Sequence, residues 1–185
     1  MSESAPSRAG RDYGPVFAAV RARDCSTREA AMHAVVDAVW EHHGLREDAG
    51  GGLHEDAGRR RVSWVGFYEK VSAADEMVLL VRRDKPACSP IGLHGMCGRS
   101  YLERLAIVIE DIATLGGNYI ACDPKDLSEL VVPLFEPDGS CWGVLDLDSY
   151  EAGAFDEHDA EELRRLVELV GLSDAAHADD RVLRL

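Results

Sequence analysis

The sequence predicts an α+β domain: a central antiparallel sheet with helices from the two ends of the chain covering one face. Apolar residues recur at helical spacing near both ends of the chain, while the middle holds β-branched runs. Those runs fall into pairs joined by short polar turns, and neighbouring strands so joined pair antiparallel.

Ser26-Thr27-Arg28-Glu29 reads as a capping box, and Met32, Val35, Val36, Val39 and Trp40 follow at helical spacing up to His43. This predicts a helix of about 17 residues. Gly44 to Arg61 is rich in Gly, His and charge, lacks periodicity, and reads as an inserted surface loop. Val62 to Tyr68 and Met77 to Val81 flank a polar turn and form a first hairpin. Arg82 to Gly98 is a long loop, followed by a short helix around Tyr101, Leu102 and Leu105 and a strand over Ala106 to Ile109. Asp111 to Ser128 is a second irregular segment. Leu130 to Phe135 and Cys141 to Asp148 flank Glu136-Pro137-Asp138-Gly139-Ser140, a second hairpin. Asp156 caps a last helix whose apolar face is Leu163, Leu166, Val167 and Val170, ending at Gly171. The expected organisation is an N-terminal extension over 1–25, one domain over 26–172, and a loosely held tail over 173–185.

At 185 residues a second domain is not expected. A net charge of −14 excludes a phosphate-binding surface of the nucleic-acid type and suits a cationic or zwitterionic ligand, although much of the acid lies on helix faces and serves solubility. There is no apolar run of the roughly 20 residues that span a bilayer, and no signal-peptide pattern, so the expectation is a cytoplasmic protein without a membrane partner. In a reducing compartment its five cysteines are expected to be free or redox-active rather than a disulfide frame.

Three of those cysteines stand in Gly- and Pro-marked turns: Lys85-Pro86-Ala87-Cys88, Gly95-Met96-Cys97-Gly98 and Ile120-Ala121-Cys122-Asp123. Loop thiols of this kind can ionise and be brought together by a fold. Cys97 precedes a short helix, whose unpaired N–H groups would favour a thiolate. With no Cys-x-x-Cys pair, a zinc knuckle or thioredoxin-type centre is excluded, and a zinc-bound thiol cluster is the weaker alternative to redox chemistry. Cys25 reads as a surface thiol and Cys141 as a side chain packed on the sheet.

Asp146 and Asp148, two apart in one strand, leave the same face, and Glu129 opens the neighbouring strand. Burying carboxylates costs several kcal/mol unless they are paired or solvated, so a polar pocket on that face is expected, the alternative being a strand end facing solvent, which suits Asp148 better than Asp146. Trp64 and Tyr68 also share a face, with Gly66 leaving a gap between two aromatic walls. Core packing is the default for such a pair, and a gap beside acids would also hold an amino acid carrying a polarised sulfur. Of the seven histidines, His94 lies near the thiols as a local base or a solvated loop residue.

Taken together, these segments resemble the free methionine-(R)-sulfoxide reductases, a family of GAF-domain enzymes. The resemblance runs through Ser63-Trp64-Val65-Gly66-Phe67-Tyr68, Lys85-Pro86-Ala87-Cys88, Cys97-Gly98, Ile120-Ala121-Cys122-Asp123, Ser128 to Leu134, Gly143 to Ser149 and Phe155-Asp156. It implies a GAF-like fold with helices on one face and a ligand pocket on the other. It also implies Cys122 as nucleophile, Cys88 and Cys97 as resolving thiols, and Glu129, Asp146 and Asp148 as substrate acids, with Trp64 and Tyr68 lining the pocket. The implied reaction is reduction of free L-methionine (R)-sulfoxide through a cysteine sulfenic acid and an intramolecular disulfide, with thioredoxin or a similar dithiol as partner and neither cofactor nor metal. A homodimer is left open, and the alternative function is a non-catalytic GAF module sensing redox state or a small ligand. The sequence departs from the family at Val81-Arg82-Arg83-Asp84, in a shorter interval between Cys88 and Cys97, in a longer one before Cys122, and at the Gly44 to Arg61 insertion.

Overall fold

The structure, a computed structural model, describes residues 10–45, 61–116 and 122–185. Most of the predicted insertion, and the Gly117 to Ala121 approach to Cys122, lie outside the described residues. Two helices open the chain, α1 (Gly14–Arg21) and α2 (Arg28–His43). The hairpin β1 (Trp64–Lys70) and β2 (Glu76–Arg83) follows, then the two-residue β3 (Ile91–Gly92), α3 (Met96–Glu103) and β4 (Ala106–Ile109). The second hairpin is β5 (Ser128–Phe135) and β6 (Cys141–Ser149), and α4 (Glu157–Leu169) and β7 (Val182–Arg184) complete the chain.

The sheet order is β3-β2-β1-β6-β5-β4-β7. Both predicted hairpins form, and β1 pairs antiparallel with β6, which joins the two hairpins at the centre of the sheet. Two clusters cover the two faces. Val65, Phe67, Leu130, Val132, Leu145 and Leu147 pack beneath α1, α2 and α4. Trp64, Tyr68, Val131 and Val144 point the other way, toward α3 and Cys97. Because β5 and β6 are buried on both faces, their sequences read as nearly continuous apolar runs. Polar residues interrupting such runs are therefore conspicuous.

Several boundaries depart from expectation for local reasons. The N-cap of α2 is Thr27, whose hydroxyl accepts from the Ala30 N–H at 3.1 Å, so the cap lies one residue later than the Ser26 box. In α4, Asp156 and Asp159 form the capping box. The segment before Ser26 holds α1, which buries Val16 and Val20; its eight residues are too few to give a periodic signal. Arg11 and Tyr13 tie this segment to the fully buried Asp159, at 2.6 and 3.0 Å. Nor is the end of the chain loose. β7 pairs parallel with β4, making the sheet mixed, and the Leu185 N–H donates to the Val108 carbonyl at 3.0 Å. Three residues are too few for strand alternation to show in a sequence.

Candidate active site

On the face opposite α1, α2 and α4, a cavity of about 230 Å³ opens between the sheet and the segment from Ala87 to Cys97. That is below the roughly 300–1,000 Å³ of drug-sized pockets and suits a ligand as small as one amino acid. Cys88, Cys97, Cys122, Trp64, Tyr68, Glu129, Asp146 and Asp148 all line it, so the structure brings all eight sequence-predicted site residues together. His94 lines it as well, as an exposed side chain.

Strand register explains the acidic floor. Asp148 lies opposite Glu129 on β5 and Trp64 on β1, and Asp146 lies opposite Gly66. All three carboxylates are buried, with 4, 7 and 9% of Glu129, Asp146 and Asp148 exposed, so the solvent-facing reading of Asp148 does not apply. The Cys97 thiol donates to Asp146 Oδ2 at 3.3 Å, whereas Asp146 Oδ1 is buried with no hydrogen-bond partner among the described residues. Ligand atoms of Cys97, Glu129 and Asp146 lie within 4.8 Å of one another, close enough to surround one cation.

Protons are held tightly here. Burial pushes Asp146 up to about 7, against the opposing hydrogen bond from Cys97. Burial, then the charges of Asp146 and Glu129, hold Asp148 well above the usual carboxylate range. The same two causes raise the Cys97 thiol, which overturns the expectation of a helix-stabilised thiolate: Cys97 lies inside the first turn of α3, but faces acids. Cys122, exposed as a residue but with its sulfur turned partly inward, is pushed up to about 12, first by that partial burial and then by the neighbouring Cys88 side chain. The pocket is anionic when ionised and favours a positively charged guest.

The aromatic pair does not form the expected slot. A side chain at Gly66 would place its Cβ 2.3 Å from Trp64 Cη2, because the indole itself lies over Gly66. The rings of Trp64 and Tyr68 are 6.0 Å apart and inclined by 34°, too close to sandwich a ligand. Instead they form one wall, and their polar ends hold the neighbouring loop. Trp64 Nε1–H donates to the Lys85 carbonyl at 3.0 Å and the Tyr68 hydroxyl to the Cys88 carbonyl at 2.8 Å. Burial and the nearby Asp146 raise the Tyr68 hydroxyl, keeping it a donor.

Both outer thiols, Cys88 and Cys122, are exposed, whereas Cys97 is buried. Cys25 is half-buried against the helical core rather than fully exposed, and Cys141 is half-buried at the start of β6.

A family model described as "GAF domain" matches residues 25–173. The chain belongs to the GAF domain family. This GAF chain is 33% identical over 114 residues to the free methionine-R-sulfoxide reductase of Saccharomyces cerevisiae, covering 60% of the chain and 63% of that protein. It is 38% identical over 108 residues to the protein of the same name from Escherichia coli, covering 57% and 62%. Its match thus spans a little under two thirds of the length of either relative. The X-ray structure of free methionine-R-sulfoxide reductase from Neisseria meningitidis in complex with its substrate superposes with a TM-score of 0.66 at 31% identity, covering 84% of the chain and 81% of that structure. The resemblance stated from the sequence motifs is borne out.

Four residues of the GAF pocket's surroundings escaped the sequence reading. Lys85 reaches Asp123 and the Tyr150 hydroxyl, joining the loops of Cys88 and Cys122. Buried Asp126 accepts from the Ser63 hydroxyl at 3.1 Å and is pushed up to about 6 by burial, and its charge raises Asp146 and Asp148 further. Charged residues in such loops read as solvated, and the signal on offer was the place of Lys85 and Asp123 within the Lys85-Pro86-Ala87-Cys88 and Ile120-Ala121-Cys122-Asp123 motifs.

Proposed function

We propose that this protein reduces free L-methionine (R)-sulfoxide with Cys122 as the attacking thiol, Cys88 as the resolving thiol, and the buried acids as the substrate's ammonium site and proton source. The observation that carries this reading is the convergence of Cys88 and Cys122, as neighbouring thiols, on one small cavity floored by buried acids. The substrates named for the yeast, E. coli and Neisseria relatives supply the choice of sulfoxide and its stereochemistry.

Free methionine sulfoxide carries an ammonium group that Glu129 and Asp148 can neutralise, which offsets the burial of their charges. A sulfoxide oxygen leaves sulfur only when protonated, and a carboxyl that retains its proton to about pH 7 is suited to donate it. Asp146 is therefore the general acid. The Cys122 sulfur attacks the sulfoxide sulfur, and oxygen passes to the thiol, giving methionine and Cys122 sulfenic acid. The Cys88 thiol then condenses with the sulfenic acid to a disulfide, releasing water. Thioredoxin or a similar dithiol transfers two electrons to that disulfide and restores both thiols. Cys97, buried and bonded to Asp146, orients the acid and is the second candidate for resolution.

The test is NADPH consumption with thioredoxin, its reductase and free methionine-(R)-sulfoxide. Wild-type protein should turn over and Cys122→Ser should not, while retaining its fold. Folded wild-type protein without turnover would sink the enzyme reading and leave a ligand- or redox-sensing module.

A further inference from the structure

Lys85 is pinned at both ends. Its carbonyl accepts the Trp64 indole N–H at 3.0 Å, so its backbone is fixed to the pocket wall. Its ammonium donates to Asp123 Oδ2 and to the Tyr150 hydroxyl, and lies 4.7 Å from the centre of the Tyr150 ring. The Tyr150 hydroxyl also donates to Asp123 Oδ2 at 3.1 Å, while Asp123 Oδ1 accepts the Lys125 N–H at 3.0 Å. Tyr150 directly follows β6, a rigid central strand. Asp123 adjoins Cys122, and Lys85 lies three residues before Cys88. Three side chains thus connect the two thiol-bearing loops to each other and to the sheet.

We infer that Lys85, Asp123 and Tyr150 form a clasp that positions Cys88 against Cys122 and so sets the rate and equilibrium of disulfide closure, but not of the first oxygen transfer. The inference rests on the proposed roles of Cys88 and Cys122. Two thiols on separate loops combine at a rate governed by their effective concentration, which grows as the loops lose independent motion. None of the three clasp residues lines the cavity, so removing one loosens the loops without deleting a substrate contact. Its Lys85 and Asp123 side chains are 33 and 21% exposed, which shields the pair more than an open surface bridge. The clasp also stays ionised across the working range, since hydrogen bonding to Lys85 holds Asp123 down at about 2, and bonds to Asp123 and Tyr150 raise Lys85 against the opposing effect of its burial.

Closure can be measured without substrate. Reduced protein equilibrated with oxidised and reduced glutathione exchanges two protein thiols and one glutathione disulfide for the Cys88–Cys122 bond and two glutathione thiols, with the pairing assigned by mass mapping. Lys85→Ala and Asp123→Asn should each lower the closure constant about 3- to 10-fold, the double variant no further, and Lys85→Arg should recover most of the loss. Tyr150→Phe, which removes the hydroxyl that bonds both Lys85 and Asp123, should lower the closure constant in the same direction, and circular dichroism of each variant checks its fold. In a single turnover without reductant, the Lys85→Ala protein should form methionine at the wild-type rate, while its sulfenic acid, trapped with dimedone, should persist longer. An unchanged closure constant in folded Lys85→Ala would overturn the clasp, as would a parallel fall in methionine formation. If wild-type protein forms no methionine, the proposed function fails, and the glutathione equilibrium still decides the clasp.

Discussion

Replacing Asp146 with Asn should stabilise the substrate-free protein at alkaline pH while disabling it. In the folded chain burial lifts Asp146 from 3.8 to about 7. Its protonated form is therefore favoured by folding. Below about pH 4 the group is neutral in both states and imposes no penalty. As pH rises toward 7 the unfolded state ionises freely while the folded state resists, so stability is lost progressively, and above about 7 the loss is complete. Each tenfold change in proton affinity between the two states is worth about 1.4 kcal/mol, which sets a ceiling of about 4 kcal/mol on the penalty. Asn keeps a carbonyl oxygen for the Cys97 thiol, and its removal of charge also relieves Asp148 opposite Glu129. The amide N–H, buried where Asp146 Oδ1 has no hydrogen-bond partner among the described residues, offsets part of the gain. The expected stabilisation is about 2–4 kcal/mol at pH 8.5, shrinking toward zero near pH 4. Guanidinium unfolding of both proteins across this range, with the slope compared to confirm equal exposure, measures it. An Asp146→Asn protein no more stable than wild type at pH 8.5 would refute the assignment of Asp146 as a buried acid held neutral by its surroundings.

Turnover should decline as pH rises through about 7, because the proton donor is lost there, and a wild-type pH–rate profile with no alkaline limb near 7 would assign proton donation elsewhere. Gly66→Ala should cost about 1–3 kcal/mol, since a Cβ 2.3 Å from Trp64 Cη2 forces the indole off the Lys85 carbonyl; thermal unfolding and tryptophan fluorescence would report it. Removal of residues 179–185 strips β7 from β4 and leaves the Val108 carbonyl and Glu110 N–H without their backbone partners, lowering stability by about 1–3 kcal/mol in urea unfolding.

Much of the fold is legible in the sequence because its signals are local. The β4 strand over Ala106 to Ile109 and the Asp156 cap of α4 depend on residues within a turn of each other. α1 and β7 escaped because eight and three residues carry too little periodicity, and both owe their stability to distant partners, Asp159 and β4.

The sequence by itself pointed to a polar pocket on the strand face of Asp146 and Asp148, since acids at alternate positions of an apolar strand are costly to bury unless paired or solvated. It also determined that Asp146 and Asp148 share a face, because strand side chains alternate with a period of two. Only the tertiary structure decided which thiol meets which acid, as Cys97 reaches Asp146 through the packing of α3 on β5 and β6. The same holds for the neighbourhood of Cys88 and Cys122, and for the Lys85 link to Asp123 and Tyr150. Their loops have no periodicity to read, and their positions follow from long-range contacts that form only once the sheet has closed.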